Sequence, residues 1–335
     1  MKIVNFSQRI ENLLKRGVEE IIEKESLFKK LISKKKLRIK HGIDPTGPKI
    51  HLGRAVSLLK LREFQELGHQ IVLIVGDFTA QIGDASDKTS MRKPLTLEEI
   101  KENEKDYKKQ ISKILDIDRV EFHHNSAWLS KTRMKDFISL CMHFTAQQMI
   151  QRRNFKERWE TNKPIGLHEL IYPIFQGYDS VAVSADVEIG GFDQLFNLKV
   201  GREIQKIFGK NPQDIMTLKM LPGLDGNKMS TSWGNVINII DEPKEMYGKI
   251  MSLKDELIPL YFELCTLLPL EEIKEIEKSL KNKKVNPRDI KAKLAKEIVS
   301  FYHGKEKARE AEEEFNIVFR EKKLPEKLPI FFASR

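Results

Sequence analysis

Five short stretches of this chain carry residue types and spacings that could do chemistry. In HLGR, His51, Gly53 and Arg54 stand where a loop drops into a helix. A helix start presents unpaired N–H groups and a partial positive charge, so it attracts phosphate. Gly53 permits close backbone approach there, and His51 and Arg54 add donors for an anion. GDFTAQIGDASDKTSMR places Asp77 and Asp84 among glycines, then Lys88 and Arg92; the carboxylates suit a ligand ammonium and the cations suit phosphates. GGFDQ brings the Gly191 backbone close to a ligand and offers Asp193 and Gln194, which together can read a ribose and an amide or carboxylate. GNKMSTS delivers Lys228 with three hydroxyls on a loop. In YPIFQGYD, Tyr172, Gln176 and Asp179 are spaced by four and three, which puts them on one helix face and points them at one ligand. Each stretch alone also reads as an ordinary loop or a solvated helix face. All five in one chain make a constellation.

Those residues need a frame, and the intervening sequence predicts one. An N-terminal helical segment precedes a short strand at 37–39 and the loop GIDPTGPKIHLG. A helix follows over about 54–67, with Ala55, Leu58, Leu59, Leu61 and Phe64 on its apolar side. HQIVLIVGDF is then an unbroken apolar run, as expected of a strand buried on both faces. Strand, glycine-containing loop, helix and apolar strand form the βαβ pattern of a parallel, doubly wound sheet. Further strands are expected at 120–124, in VEIGGFDQ at 187–194 and from 214, with helices over about 97–115, 131–156, 167–180 and up to about 208. An open α/β sheet binds its ligand at the carboxyl edge, which is where the loops 41–54, 76–92 and 190–197 fall. Past about residue 240 the glycines thin out and helical patterns dominate. The expected fold is therefore α/β, a Rossmann-like doubly wound parallel sheet followed by an all-α domain. The expected division is an N-terminal helical segment (1–33), a Rossmann-like domain (34–236) with a helical insertion around 125–165, a helical domain (237–325), and a tail or truncated linker (326–335).

Composition narrows the class. The 335 residues, 40% of them apolar, are enough for a large core and a second domain. Of the net charge of +10, nearly all lies in the first 240 residues, which carry 39 Lys and Arg against 30 Asp and Glu. Basic clusters such as FKKLISKKKLRIK and QRRNFKERW make a polyanion partner plausible, although solvated lysine faces account for charge alone. The cysteines, Cys141 and Cys265, lie far apart and outside any C-x-x-C spacing, so both read as buried thiols of a reducing compartment. No signal-peptide pattern opens the chain, and no stretch approaches the ~18 apolar residues of a membrane span. The expected setting is cytoplasmic.

GIDPTGPKIHLGR and NKMSTS resemble the HIGH and KMSKS signatures of class I aminoacyl-tRNA synthetases, and HELIYPIFQGYDS with VEIGGFDQLFN resembles tyrosyl-tRNA synthetase of bacterial type in particular. The resemblance runs over roughly residues 30–325. It implies ATP-dependent activation of L-tyrosine to tyrosyl-adenylate and transfer to tRNA(Tyr), with ATP arriving as its Mg²⁺ complex and no tightly bound cofactor. It also implies a homodimer, and it makes the 237–325 domain one of anticodon-binding type. Carried over by position, Asp179 accepts the hydrogen bond of the tyrosine hydroxyl, while Asp84, Tyr172 and Gln176 hold the ammonium and Gln194 lies by the carboxylate. Asp44, Gly53, Gly191 and Asp193 bind the nucleotide, chiefly its ribose, and Thr46, His51, Lys88, Arg92 and Lys228 surround the phosphates.

Three positions depart from the family pattern. Arg54 replaces the second histidine of HIGH, and Thr231 replaces the second lysine of KMSKS, which suggests a charge exchanged between the two signatures. Lys40 stands where many members have a tyrosine that contacts the substrate hydroxyl; it reads either as a tyrosine contact or as a solvated strand-end lysine. The family commonly continues into a small RNA-binding module, whereas this chain stops at FFASR, leaving KNKKVNPRDIKAK (281–293) as a candidate RNA-phosphate contact. The helix expected at 131–156, with Phe137, Leu140, Cys141, Phe144 and Met149 at helical spacing, reads as dimer interface or core. Two other readings stand beside the leading one: a non-catalytic relative that binds RNA or a nucleotide, and a tryptophan enzyme. Asp179 argues against the latter, because an indole has no hydroxyl to pair with it.

Overall fold

The computed structural model describes residues 6–33, 35–84 and 94–319, with the side chains of 153, 232 and 319 excepted. The chain forms two compact units, residues 1–50 with 56–220, and residues 51–55 with 221–335.

The first unit is built on a six-stranded sheet of order β1-β6-β5-β2-β3-β4. Its elements open with α1 (Phe6–Lys15), β1 (Val18–Ile22), α2 (Lys24–Ile32), β2 (Arg38–Ile43), α3 (Leu52–Glu66), β3 (Gln70–Val75) and α4 (Thr79–Ile82). Next come α5 (Leu97–Glu104), α6 (Tyr107–Ile111), β4 (Val120–His124), α7 (Ser126–Leu129), α8 (Met134–Cys141), α9 (Ala146–Ile150) and α10 (Arg153–Glu160). The unit closes with α11 (Leu167–Ala182), β5 (Val187–Gly191), α12 (Leu195–Ile207) and β6 (Asp214–Leu218). Strands β2 to β6 are mutually parallel, and only β1 pairs antiparallel, with β6. The chain runs outward from β2 through β3 to β4, then crosses back to β5 and β6, so the order reverses between β2 and β5. That reversal is the ligand-binding position of an open α/β sheet.

The apolar run is β3, in which five of six residues are buried, as two covered faces require. Helices α11 and α12 pack against each other through glycines: a Cβ at Gly177 would lie 3.1 Å from Gly201 Cα. Two expectations are corrected. The N-terminal segment is not wholly helical, because Gly17, at φ +62°, ends α1 and the β-branched run VEEII adds an edge strand to the sheet. The helix expected over 131–156 is three helices, since Thr145 forms a reciprocal capping box with Gln148 and starts α9 afresh. Leu140 and Met149 there are core, clustered with Ile174, Val181, Val200 and Ile204, and Phe137, Cys141 and Phe144 pack against that cluster.

In the second unit the first turn of α3 groups with α13 (Pro243–Met251), α14 (Ile258–Cys265), α15 (Leu270–Lys281), α16 (Pro287–His303) and α17 (Lys305–Phe319). Its core includes Met246, Tyr247, Ile250, Tyr261, Phe262, Leu294, Ile298 and Val299, all buried.

Candidate active site

At the carboxyl edge of the first unit's sheet, side chains from several elements form two chains of hydrogen bonds. Asp179, on α11, is 3% exposed. It accepts from Trp128 Nε1 (2.8 Å) and Asn125 Nδ2 (3.3 Å), both just past the end of β4. Burial pushes its carboxyl up to about 7, a shift that Lys40 and these two donors oppose. Asn125 Nδ2 also reaches Thr79 Oγ1 (3.0 Å), which donates to Asp44 Oδ1 (2.7 Å). The other Asp44 oxygen accepts from the Tyr172 hydroxyl at 2.9 Å. Burial first, then Asp44, Asp84 and Asp179, hold that phenol well above its usual pKa, so it stays a donor. Gly76 lets this corner close, because a Cβ there would collide with the Asp44 carboxylate and the Thr79 hydroxyl. A second chain of bonds runs from Gln194 Nε2 to Asp84 Oδ2 (2.8 Å), and Asn197 Nδ2 then donates to Gln194 Oε1 (3.1 Å) and Gln176 Oε1 (3.0 Å).

Lys40 lies beneath this set rather than in solvent. It is fully buried, facing Glu188 across the β2–β5 ladder, with Nζ 2.8 Å from Glu188 Oε1. Its ammonium also donates to Ser180 Oγ (2.8 Å) and the Gln176 carbonyl (2.9 Å). With three donors and three protein acceptors, Lys40 has none left for a ligand. The expected hydroxyl contact and the solvated strand end both give way to a structural cation that ties α11 to the sheet.

The signature-like elements both fall in the second unit. Leu52 N–H donates to the Ile237 carbonyl (2.8 Å) and His51 forms a β-bridge with Asn238, which fixes the start of α3. Gly53 N–H donates to Met229 Sδ at 3.3 Å, so the buried methionine of KMSTS rests on the glycine of HLGR. A side chain at Gly53 would press on the His51 ring, its Cβ 3.1 Å from Nδ1. Burial, then the charges of Arg54 and Lys228, hold His51 down to about 3, so the imidazole is neutral. The loop carrying Lys228 is braced by its own residues. Asp225 accepts from Asn227 Nδ2 on Oδ2 (3.0 Å) and from Asn235 Nδ2 on Oδ1 (2.8 Å), side-chain bonds that hold its carboxyl down to about 2, and Oδ1 also accepts from Asn227 N–H (3.0 Å). Asn235 also binds the Lys228 carbonyl (3.0 Å) and the Ser230 N–H (2.8 Å). Gly226 (φ +86°) and Gly234 (φ +70°) supply the left-handed turns that loop needs.

The structure thus joins Tyr172 to Asp44, Asp84 to Gln194 and through Asn197 to Gln176, and groups His51, Gly53, Arg54 and Lys228. Gly191 lies under the Asp193 carboxylate, 2.5 Å from where its Cβ would stand. Thr46 N–H closes a turn on the Asp44 carbonyl (2.8 Å), and Thr231 is exposed. Lys88 and Arg92 lie outside the described residues. In the stretch 281–293, Lys291 and Lys293 are held by Asp255 (2.8 Å) and Glu272 (2.6 Å). Sequence reasoning missed Thr79, Asn125, Trp128 and Arg152. The signal for Asn125 and Trp128 was their position directly after VEFHH, at the same sheet edge as the other loops.

A strand-order reversal edged by carboxylates, with a glycine-led helix start and a lysine-bearing loop, is the frame of the class I synthetases. The family model described as tRNA synthetases class I (W and Y) matches residues 33–320. The tyrosine–tRNA ligase of Thermotoga maritima is 49% identical over 324 residues, covering 96% of this chain and 81% of that one. That of Haemophilus influenzae is 47% identical over 322 residues, covering 96% and 80%. Among solved structures, tyrosyl-tRNA synthetase of Archaeoglobus fulgidus complexed with L-tyrosine shares the fold at a TM-score of 0.72 and 24% identity, covering 92% of this chain and 99% of that one. A C-terminally truncated mitochondrial tyrosyl-tRNA synthetase of Aspergillus nidulans does so at 0.74 and 21%, covering 94% of each. The chain belongs to the tyrosine–tRNA ligase family of class I aminoacyl-tRNA synthetases.

Proposed function

We propose that this chain activates L-tyrosine with ATP and transfers it to tRNA(Tyr). The observation that carries the specificity is Asp179. It is a buried carboxylate whose neighbours are the side-chain donors Trp128 and Asn125, placed to accept one more hydrogen bond from a phenolic hydroxyl. A substrate without the hydroxyl leaves that acceptor short of a partner. In our reading Asp84, Tyr172 and Gln176 hold the ammonium, with Asp44, Gly53, Gly191 and Asp193 on the nucleotide. His51, Arg54, Lys88, Arg92 and Lys228 bind the phosphates of ATP, which enters as its Mg²⁺ complex, and Thr46 lies with them.

The tyrosine carboxylate oxygen attacks the α-phosphorus in line, the bond to the bridging oxygen breaks, and pyrophosphate leaves with its electron pair. The 3′-terminal ribose hydroxyl of tRNA then attacks the acyl carbon and AMP departs. No protein nucleophile is needed. Orientation and cations that bind the departing charge better in the transition state supply the rate. A neutral His51 fits this scheme as a hydrogen-bonding group rather than a counter-charge.

L-tyrosine-dependent exchange of labelled pyrophosphate into ATP tests the proposal. Exchange with tyrosine alone among tyrosine, tryptophan and phenylalanine is expected, and its absence would favour the non-catalytic reading. We further propose a cytoplasmic homodimer. The dimer's support is an exposed stripe along α8 and its C-cap residue, where Met134 (75% exposed), Ile138 (53%) and Met142 (81%) recur every four residues. Ile138→Asp is expected to yield monomers by light scattering. No helix among the described residues is long and apolar enough to cross a membrane.

A further inference from the structure

Arg152, between α9 and α10, has no role in the scheme above, yet it is only 5% exposed. Its guanidinium lies on the ring of Phe155, 3.9 Å from the centroid, and Nη2 donates to the Glu169 carbonyl at 2.7 Å. The platform beneath is rigid: Arg158 and Glu169, both fully buried, form a two-pronged pair at 3.1 and 2.7 Å, and Glu169 also caps Gly166 N–H at 2.8 Å. Arg152 is therefore held at one edge. Its Nε and Nη1 are buried and have no hydrogen-bond partner. Nη1 stands 3.9 Å from Asp84 Oδ1, close enough to feel the charge and too far to bond to it.

Leaving two donors of a buried cation unpaired is costly unless an acceptor completes them. The acceptor must be anionic to match the guanidinium, and it must lie next to whatever Asp84 binds. Asp84 already receives Gln194 on Oδ2. A ligand group shared between Asp84 and Arg152 therefore carries a cation and an anion a few ångströms apart, which is the chemistry of an α-amino acid zwitterion. The amide of Gln194, the other candidate for the carboxylate, is oriented by Asp84 on one side and Asn197 on the other.

We propose that Arg152 is the residue that binds the substrate's α-carboxylate, forming with Asp84 a clamp for the zwitterion. Asp179 reads the side chain, and Arg152 with Asp84 reads the backbone of the amino acid. Of arginine's planar fork, Nη1 is the unmet donor beside Asp84; it meets one carboxylate oxygen and leaves the other for attack on phosphorus, while Nε–H leaves by the opposite edge of the plane.

The inference rests on the tyrosine reading of the site, and the test separates the two. Titrations of L-tyrosine and of tyramine, which lacks the carboxylate, are compared on the wild-type chain, Arg152→Met and Arg152→Lys after the melting temperature of each is recorded. Arg152→Met is expected to lose about 10- to 100-fold in affinity for tyrosine while tyramine affinity changes less than about twofold. Arg152→Lys keeps the buried charge without the fork and is expected to lose less, again for tyrosine only. It decides the matter if the methionine variant does not fold. Equal losses for both ligands, or no loss for tyrosine, overturn the proposal and make Arg152 a structural cation. A wild-type chain that binds neither ligand overturns the tyrosine reading itself.

Discussion

Around Asp179 the ligand-facing groups are held by partners from distant parts of the chain, whereas around Lys228 they are held by near neighbours. Asn125 and Trp128 lie 54 and 51 residues from Asp179, Tyr172 lies 128 from Asp44, and Gln194 lies 110 from Asp84. In the loop, Asp225 is bound by residues 2 and 10 away, and Asn235 holds residues 7 and 5 away. The first arrangement exists only when the sheet is complete, so its geometry is as stable as the unit that makes it. The second can open and re-form without disturbing a strand, as a loop that handles a leaving group requires. In the proposed scheme, the residue that reads the tyrosine hydroxyl thus lies in the cooperative part of the molecule and the Lys228 loop in a locally stable one.

The largest expected effect tests that difference in stability directly. Lys40→Met leaves Glu188 buried and uncompensated and should cost about 3–5 kcal/mol in chemical denaturation, against about 1 kcal/mol for Asn235→Ala in the loop. Comparable losses would break the comparison. Lys228→Ala should lower pyrophosphate exchange about 10²- to 10³-fold with tyrosine affinity unchanged, because in the proposed scheme it meets the phosphates of ATP and binds the departing charge more strongly in the transition state. Asp179→Asn should do the reverse, lowering selectivity for tyrosine over phenylalanine about 10- to 100-fold in kcat/KM.

A smaller effect concerns pH. With Asp179 at about 7 in the folded chain and near 3.8 unfolded, the folded state holds the extra proton between those values. The stability this contributes is fully present below pH 4 and is lost as pH rises through 7, about 1.4 kcal/mol of it between pH 6 and 8. Melting curves of the wild type and Asp179→Asn should therefore converge or diverge by that amount across the window. Parallel curves would mean that the carboxyl is not held protonated by burial. The least effect is expected for the charge exchange that the sequence suggests between HLGR and KMSTS. Arg54→His and Thr231→Lys should couple by about 0.5–1 kcal/mol in exchange rates, and strictly additive effects would refute the exchange.

What was legible in the sequence follows the same division. The loop's lysine and its turn glycines could be read from adjacent letters because the loop's hydrogen bonds close within a few residues, and the glycine-led helix start could be read from its residue types although Ile237, Asn238 and Met229 hold it from far along the chain. The parallel sheet was legible through the unbroken apolar run of β3, whose two buried faces suppress alternation. The edge strand β1 was misjudged because VEEII flanks two amphipathic helices and its pairing partner, β6, lies some 200 residues away. Lys40 was misjudged for a related reason: a lysine is read as solvated unless its counter-ion is known, and Glu188 becomes its neighbour only across the ladder.

By itself the sequence determined which residues carry charge, which backbone positions can turn left-handed, and hence the family and the chemistry open to it. Only the tertiary structure decided that Lys40 serves the scaffold, that Asn125 and Trp128 serve Asp179, and that Arg152 is buried with two donors unmet. The reason is physical: local hydrogen bonds and backbone preferences are written in neighbouring residues, whereas burial and charge pairing depend on which distant strands come to lie side by side.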